Sequence, residues 1–342
     1  MRISTTIDYA GDLRGAVERA IALEDAGLDM LWVAEAYGFD AVSFLGYLAA
    51  RTRRAAIGSA ILPVYSRTPA LLAQTAAGLD WVSGGRFVLG IGASGPQVVE
   101  GWHGVAYDRP VQRTREVIEL CRRAWRREVL THDGAYRLPL PPGEGTGLGK
   151  PLKMITRPLR ERIPIYVAAL GERNVAMTAE IADGWLPMLF APERAGAAWE
   201  GALSRGRRAR SNDLAPLEIV AGGAVAIGER LEALRDLARP MVALYVGGMG
   251  ARGRNFYNDL VARYGYEEEA SQIQELYLAG KRREAEAAVP AELLEQTSLI
   301  GSPSYVRERL DAYREAGVTV LNVVPVGPDP AATVGQLREW MG

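Results

Sequence analysis

Eight successive strand–helix units predict an α/β fold, a (β/α)8 TIM barrel with insertions after strands 4 and 7. Three observations carry this expectation. Residues 87–91, Phe-Val-Leu-Gly-Ile, show no polar alternation, so this strand is buried on both faces as in a parallel sheet. Short apolar segments alternate with helical patterns along the whole chain, the order that builds parallel sheets and closes them into barrels. The glycine fingerprint that an open, doubly wound sheet carries after its first strand is absent here.

Residues 3–7 form the first strand, and residues 13–25 an amphipathic helix closed by Gly27. Strand 2 covers 30–33, and Asp40 caps the helix that runs to Arg51. Strand 3 covers 55–62, and Thr68-Pro69 opens a helix with proline in its first turn. Gly84-Gly85-Arg86 ends that helix before strand 4, and a further helix spans about 113–127. Residues 129–138, centred on Asp133-Gly134, read as a small hairpin. Residues 139–150 hold too much proline and glycine for regular structure. Strand 5 (163–168) precedes a helix over 174–182, and strand 6 (184–189) a helix from Pro192. Strand 7 (219–226) is followed by a helix from about Arg230, and strand 8 (318–324) by the last helix, 331–341. The chain of 342 residues exceeds a minimal barrel of about 250. The surplus falls in insertions at about 129–160 and 242–297 of a single domain, 1–342, and both could join over the top face as a lid.

Forty basic and 41 acidic residues leave a net charge of −1, which offers no attraction to nucleic acid or to an anionic membrane surface. No apolar run is long enough to span a membrane, and the first residues read as a strand rather than a signal peptide. Cys121 is the only cysteine, so no disulfide can form within the chain, and a reducing cytoplasm is expected. His103 and His132, the two histidines, are too few for the usual metal centre of a barrel hydrolase, so no metal is expected.

Chemistry in such a barrel sits at the carboxyl ends of the strands. After strand 4 the chain opens into a loop with glycines at 92, 95, 101 and 104. Gly90-Ile-Gly-Ala-Ser-Gly95 is part of a dinucleotide loop or an ordinary tight turn. Gly145-Thr-Gly-Leu-Gly-Lys150 fails the phosphate-loop pattern, with Glu144 and Pro151 at two of its fixed positions; Lys150 and Lys153 could still meet an anion. Strand 5 ends in Ala168-Ala169-Leu170-Gly171 and leads into a helix whose first amides suit phosphate, with Arg173 to add charge. Glu35 stands just past strand 2, where it could hold a ring N–H, serve as an acid or pair with a neighbouring arginine. His103, in Gly-Trp-His-Gly, is either a proton donor or a structural hydrogen-bonding group. Arg252 and Arg254 lie in a glycine-rich loop and are either clamps for an anion or part of a flexible linker.

Four segments, Leu31-Trp-Val-Ala-Glu35, Ile57-Gly-Ser-Ala-Ile-Leu-Pro63 with Arg67-Thr-Pro69, Ser83-Gly-Gly-Arg-Phe-Val-Leu-Gly-Ile-Gly92 and Ala179-Glu-Ile-Ala-Asp-Gly-Trp185, resemble the bacterial luciferase-like superfamily. Within it the chain looks most like the oxidoreductases that use coenzyme F420, a 5-deazaflavin. The resemblance implies a non-proline cis peptide at Ala60–Ile61 behind the deazaflavin ring, a loop from Gly92 and Ala93 beside that ring, and a phosphate arm at Ala168, Ala169, Leu170 and Gly171. It implies a homodimer, a small-molecule substrate, and hydride transfer to a C=C, C=N or C=O bond, with Glu35, Tyr37, Tyr65, His103 or water as proton source. An Asp-His pair found in sugar-phosphate dehydrogenase members is replaced here by Glu35-Ala36, so alcohol oxidation through that histidine is not expected. FMN is the alternative cofactor, in a two-component monooxygenase using reduced FMN and O₂. A non-catalytic deazaflavin-binding barrel is the third possibility.

Overall fold

The computed structural model describes residues 1–8 and 11–342. Eight parallel strands close on themselves: β1 (Arg2–Thr6), β2 (Met30–Val33), β3 (Ala56–Ser59), β4 (Phe87–Gly92), β5 (Ile165–Ala168), β6 (Gly184–Leu186), β7 (Glu218–Ala221) and β8 (Val320–Asn322). β3 meets β4 through Ile57 and Phe87, and β8 completes the ring against β1, with Val320 opposite Arg2. The chain is therefore a closed (β/α)8 barrel.

Its outer helices are α1 (Leu13–Asp25), α2 (Ala41–Arg51), α3 (Pro69–Val82), α4 (Pro110–Trp125), α5 (Glu172–Ile181), α6 (Pro192–Ala209), α7 (Pro303–Glu315) and α8 (Pro330–Met341). Their starts are written locally. The side chains of Asp12, Asp40, Thr68, Ser302 and Asp329 each accept a first-turn amide, and proline opens five of the eight. Inside the barrel, Met30, Trp32, Val88, Tyr166, Val220 and Val320 fill the centre, with the Trp32 and Tyr166 rings 5.6 Å apart. Gly58 and Gly184 leave room for those rings: a Cβ would lie 2.3 Å from Trp32 at the first position and 2.5 Å from Tyr166 at the second.

Three strands expected to be continuous are broken, the third being β8, which stops at Asn322 before Val324–Pro325. β3 stops at Ser59, and pairing resumes at Leu62–Pro63 past a cis Ala60–Ile61 bond. β7 stops at Gly222-Gly223, where the chain is squeezed so that a Cβ would lie 2.2 Å from the Asn322 carbonyl oxygen or 1.9 Å from that of Thr297. Beyond these breaks Ala224–Ile227, Leu299–Gly301 and Val324–Pro325 form a separate three-stranded parallel sheet. The helix expected from about Arg230 is a 3₁₀ turn, Glu232–Ala238, running into the short helix Arg239–Ala243.

Several charged side chains around the barrel are structural. Arg86 gives its guanidinium to the carbonyls of Ala49, Thr52 and Ala55. Buried Asp80 pairs with Arg160, and Asp183 takes Arg122, Arg162 and the Ile165 amide. Between β4 and β5, Glu116 accepts the amides of Ala135 and Tyr136 and pairs with His132, which fastens the hairpin His132–Asp133/Arg137–Leu138 to α4. Tyr136 donates to the Val64 carbonyl, and the chain then descends to Arg160 at the lower rim. The second insertion, about 242–297, follows β7. That insertion holds the helices Phe256–Arg263, Glu267–Leu278, Arg282–Ala287 and Ala291–Gln296. Among the described residues no helix is long and apolar enough to cross a membrane.

Candidate active site

At the barrel mouth, Glu35 and Arg67 form a nearly buried pair, with side chains 8% and 14% exposed. Arg67 Nη1 donates to Glu35 Oε1 and Nη2 to Oε2 at 2.8 Å, and Oε2 also accepts the Ala41 amide at 2.9 Å. A bidentate guanidinium and the first amide of α2 thus occupy both carboxylate oxygens. Of the uses open to Glu35, pairing with an arginine is the one the structure displays.

Next to this pair lies a shelf of small side chains. Gly92 pairs with Ala168 across β4 and β5, and a Cβ on it would lie 3.2 Å from Ile61 and 3.3 Å from the Ala168 methyl. Ala60 packs on the interior cluster, and Ala93 follows, 8% exposed. Gly90, read from sequence as part of a loop, has a different task. Its amide and carbonyl both bond the Ser59 hydroxyl, at 3.0 and 2.7 Å, and a Cβ would be 1.8 Å from the Ser59 carbonyl oxygen. It lets β4 close against the end of β3.

The turn after β5 is oriented from behind. Trp185 Nε1 donates to the Ala169 carbonyl at 2.8 Å, and Trp199 Nε1 to the Leu170 carbonyl at 3.0 Å. Arg263, from the second insertion, adds a donor to the Leu170 oxygen at 3.3 Å. In a trans peptide the N–H points opposite to the preceding C=O. The amides of Leu170 and Gly171 therefore face away from the indoles, next to the unpaired first amides of α5 at Glu172 and Arg173. Four amides at a helix start, with the exposed Arg173 beside them, can seat an anion. Phe256 lies over Gly171, 3.8 Å from where a Cβ would stand.

Aromatic side chains line the approach. Tyr65 and Tyr107 stack with centroids 5.1 Å apart, and Tyr245 meets Tyr257 edge-on at 4.7 Å. Tyr65 donates to the Asp108 carbonyl at 2.6 Å and Tyr107 to the Ser94 carbonyl at 3.3 Å. Burial pushes the Tyr65 phenol up and that of Tyr107 to about 12. His103 sits past the short helix Pro96–Gly101, with Nε2 buried and without a partner among the described residues. Arg252 and Arg254 are exposed, but the neighbouring glycines are packed: a Cβ on Gly247 or Gly248 would lie 2.5 or 2.4 Å from Tyr277. Among the described residues no group of three or more His, Cys, Asp or Glu could hold a metal ion.

Arg67, Trp199, Arg263 and Phe256 were not singled out by sequence. Arg67 stood in a quoted segment without a role. The other three reach the site across 29, 93 and 85 residues of chain, and no local pattern marks such contacts.

Fold and site define a ligand-binding (β/α)8 barrel that works at its top face. More narrowly, the chain belongs to the luciferase-like monooxygenase family, whose profile matches residues 1–320. It is 42% identical over 332 residues, 94% of each chain, to a Mycobacterium tuberculosis protein whose naming as a coenzyme F420-dependent oxidoreductase is itself provisional. It is 28% identical over 324 residues to the 5,10-methylenetetrahydromethanopterin reductase of Archaeoglobus fulgidus, covering 91% of this chain and 90% of that one. The solved coenzyme F420-dependent tetrahydromethanopterin reductase of Methanopyrus kandleri superposes with a TM-score of 0.75 at 24% identity, over 98% of this chain and 96% of the other.

Proposed function

We propose that this protein is a coenzyme F420-dependent oxidoreductase, acting as a reductase on an activated C=C, C=N or C=O bond of a small organic substrate. The observation that carries this reading is the pair of indole N–H groups behind Ala169 and Leu170, which turn two amides outward beside the start of α5. The name of the Mycobacterium tuberculosis relative supports the choice of cofactor.

The residues present fit that cofactor in kind. Leu170, Gly171 and Arg173 would hold its phosphate, and Ala60, Gly92 and Ala93, with Ile61 against Gly92, offer a flat ring an apolar surface. Bound there, the reduced deazaflavin supplies a hydride equivalent from C5. The chain's own share is to position ring and substrate and to exclude water, for which Phe256 and the tyrosines stand at the mouth. Glu35 fixes Arg67 and the start of α2. His103, with a ring nitrogen to spare, is the side chain suited to deliver the proton.

Anaerobic incubation with reduced F420 and a panel of enones, imines and ketones tests this. Reappearance of oxidised F420 together with reduced product is the expected result. Binding without turnover of any of them would leave a non-catalytic deazaflavin-binding barrel. Oxygen uptake coupled to hydroxylation with reduced FMN would establish the monooxygenase that the family's name suggests.

The protein is further proposed to act in the cytoplasm as a homodimer. The outer faces of α2 and α3 carry Tyr47, Leu71, Gly78, Trp81 and Val82, with Trp81 64% exposed. An apolar face of this kind suits a second copy of the chain.

A further inference from the structure

Inside the barrel, the indole N–H of Trp32 has no hydrogen-bond partner among the described residues, although Trp32 is only 1% exposed. A buried N–H is rarely left unmatched, so such a group points to an acceptor that belongs beside it. Its direction follows from packing. Trp32 lies on β2 between Thr6 of β1 and Gly58 of β3. Gly58 touches the benzo edge, since a Cβ there would be 2.3 Å from Cζ3 and 2.6 Å from Cε3 of Trp32. The nitrogen is on the opposite edge of the indole, and so faces β1 and Thr6.

The same wall continues onto β8. Ser4, completely buried, donates its hydroxyl to Asn322 Oδ1 at 3.0 Å. That bond fixes the amide with its oxygen toward Ser4 and its NH₂ toward Thr6, two residues nearer the mouth. Asn322 Nδ2 lies 3.5 Å from Thr6 Oγ1, the outer limit of a hydrogen bond, so the amide keeps donor capacity to spare. Below this corner the barrel is filled by the apolar side chains of Met30, Val220 and Val320. Trp32 N–H, the Asn322 amide and the Thr6 hydroxyl thus offer donors together above that apolar packing, where Thr6 and Asn322 are half-buried.

We infer that this corner binds the carbonyl oxygen of the substrate, and that the substrate class is a ketone or an α,β-unsaturated ketone. The inference rests on the proposed function for the word substrate, and it narrows it. Of the three bond types named above, a carbonyl, or a C=C bond conjugated to one, brings an oxygen with two lone pairs that can accept from more than one of these donors, whereas an imine nitrogen brings a single lone pair. Donors already aimed at that oxygen would also meet the negative charge that grows on it as hydride arrives at carbon.

The test uses the full chain without cofactor, its tryptophans labelled at the indole nitrogen. Seven indole signals are expected, and Trp32→Phe identifies the one in question. Cyclohex-2-enone is predicted to shift that signal downfield, whereas cyclohexene, the same ring without the carbonyl, leaves it in place. Asn322→Leu is predicted to weaken enone binding about tenfold, the equivalent of one lost hydrogen bond. The remaining indole signals, unmoved, show that the variant is folded. A Trp32 signal unmoved by saturating enone, or moved equally by cyclohexene, overturns the inference. A shift produced by F420 alone, with none added by the enone, overturns it in favour of the cofactor's own ring oxygens. An enone shift in a protein that fails to bind F420 upholds the corner and sinks the cofactor reading instead.

Discussion

At Glu35 the structure displays one use of a carboxylate, a clasp: Arg67 donates to both oxygens and Ala41 adds an amide. Removing one partner of a nearly buried pair leaves an uncompensated charge, so Arg67→Met should lower stability by about 3–5 kcal/mol in urea unfolding. Glu24 offers a second residue-scale prediction. Burial raises its carboxyl pKa, but the amides of Ala55, Arg54 and Arg53 and the Arg54 charge lower it by more. A depressed folded pKa gives stability that is full above the unfolded value of about 4.3 and lost as pH falls through the folded one. Glu24→Gln should therefore be less stable than wild type at pH 7 (urea midpoint), and the gap should shrink once the pH falls well below about 4. The sequence made Glu35 visible because a carboxylate at a strand end is conspicuous. It could not show that Arg67, 32 residues on, would meet it rather than solvent.

Among elements, the end of β3 and the turn after β5 shape the site, and they were unequally legible. Residues 55–62 and 219–226 read as unbroken strands because apolar residues run through both breaks. The interruptions arise from distant backbone: the Thr297 and Asn322 carbonyls against Gly223 and Gly222. The helix start after β5 was readable, since small residues before a helix leave amides free. The indoles that aim those amides were not, because Trp199 comes from α6. Trp199→Phe keeps the ring and removes the donor, so it should weaken F420 binding about fivefold in a fluorescence titration with little change in unfolding midpoint. Gly90→Ala puts a methyl 1.8 Å from a backbone oxygen that no rotamer change can move. It should destabilise the barrel by about 3 kcal/mol or more on thermal or urea unfolding.

For the whole molecule, the barrel follows from a repeating pattern, and patterns of that length survive local error. Strand boundaries shifted by a few residues, yet the order and number of units did not. How the two long insertions pack was beyond reach, since their contacts are made side chain by side chain across the fold. The apolar face of α2 and α3 carries a prediction at this scale: Trp81→Glu should turn a dimer into a monomer by light scattering without lowering F420 affinity. The central claim concerns the ligand of the mouth. Anaerobic titration of the purified protein with F420 and with FMN, side by side, tests it most directly. Micromolar binding of F420 with FMN at least a hundredfold weaker, on the order of 2.7 kcal/mol, is the predicted result. Micromolar binding of FMN with none of F420 would contradict it.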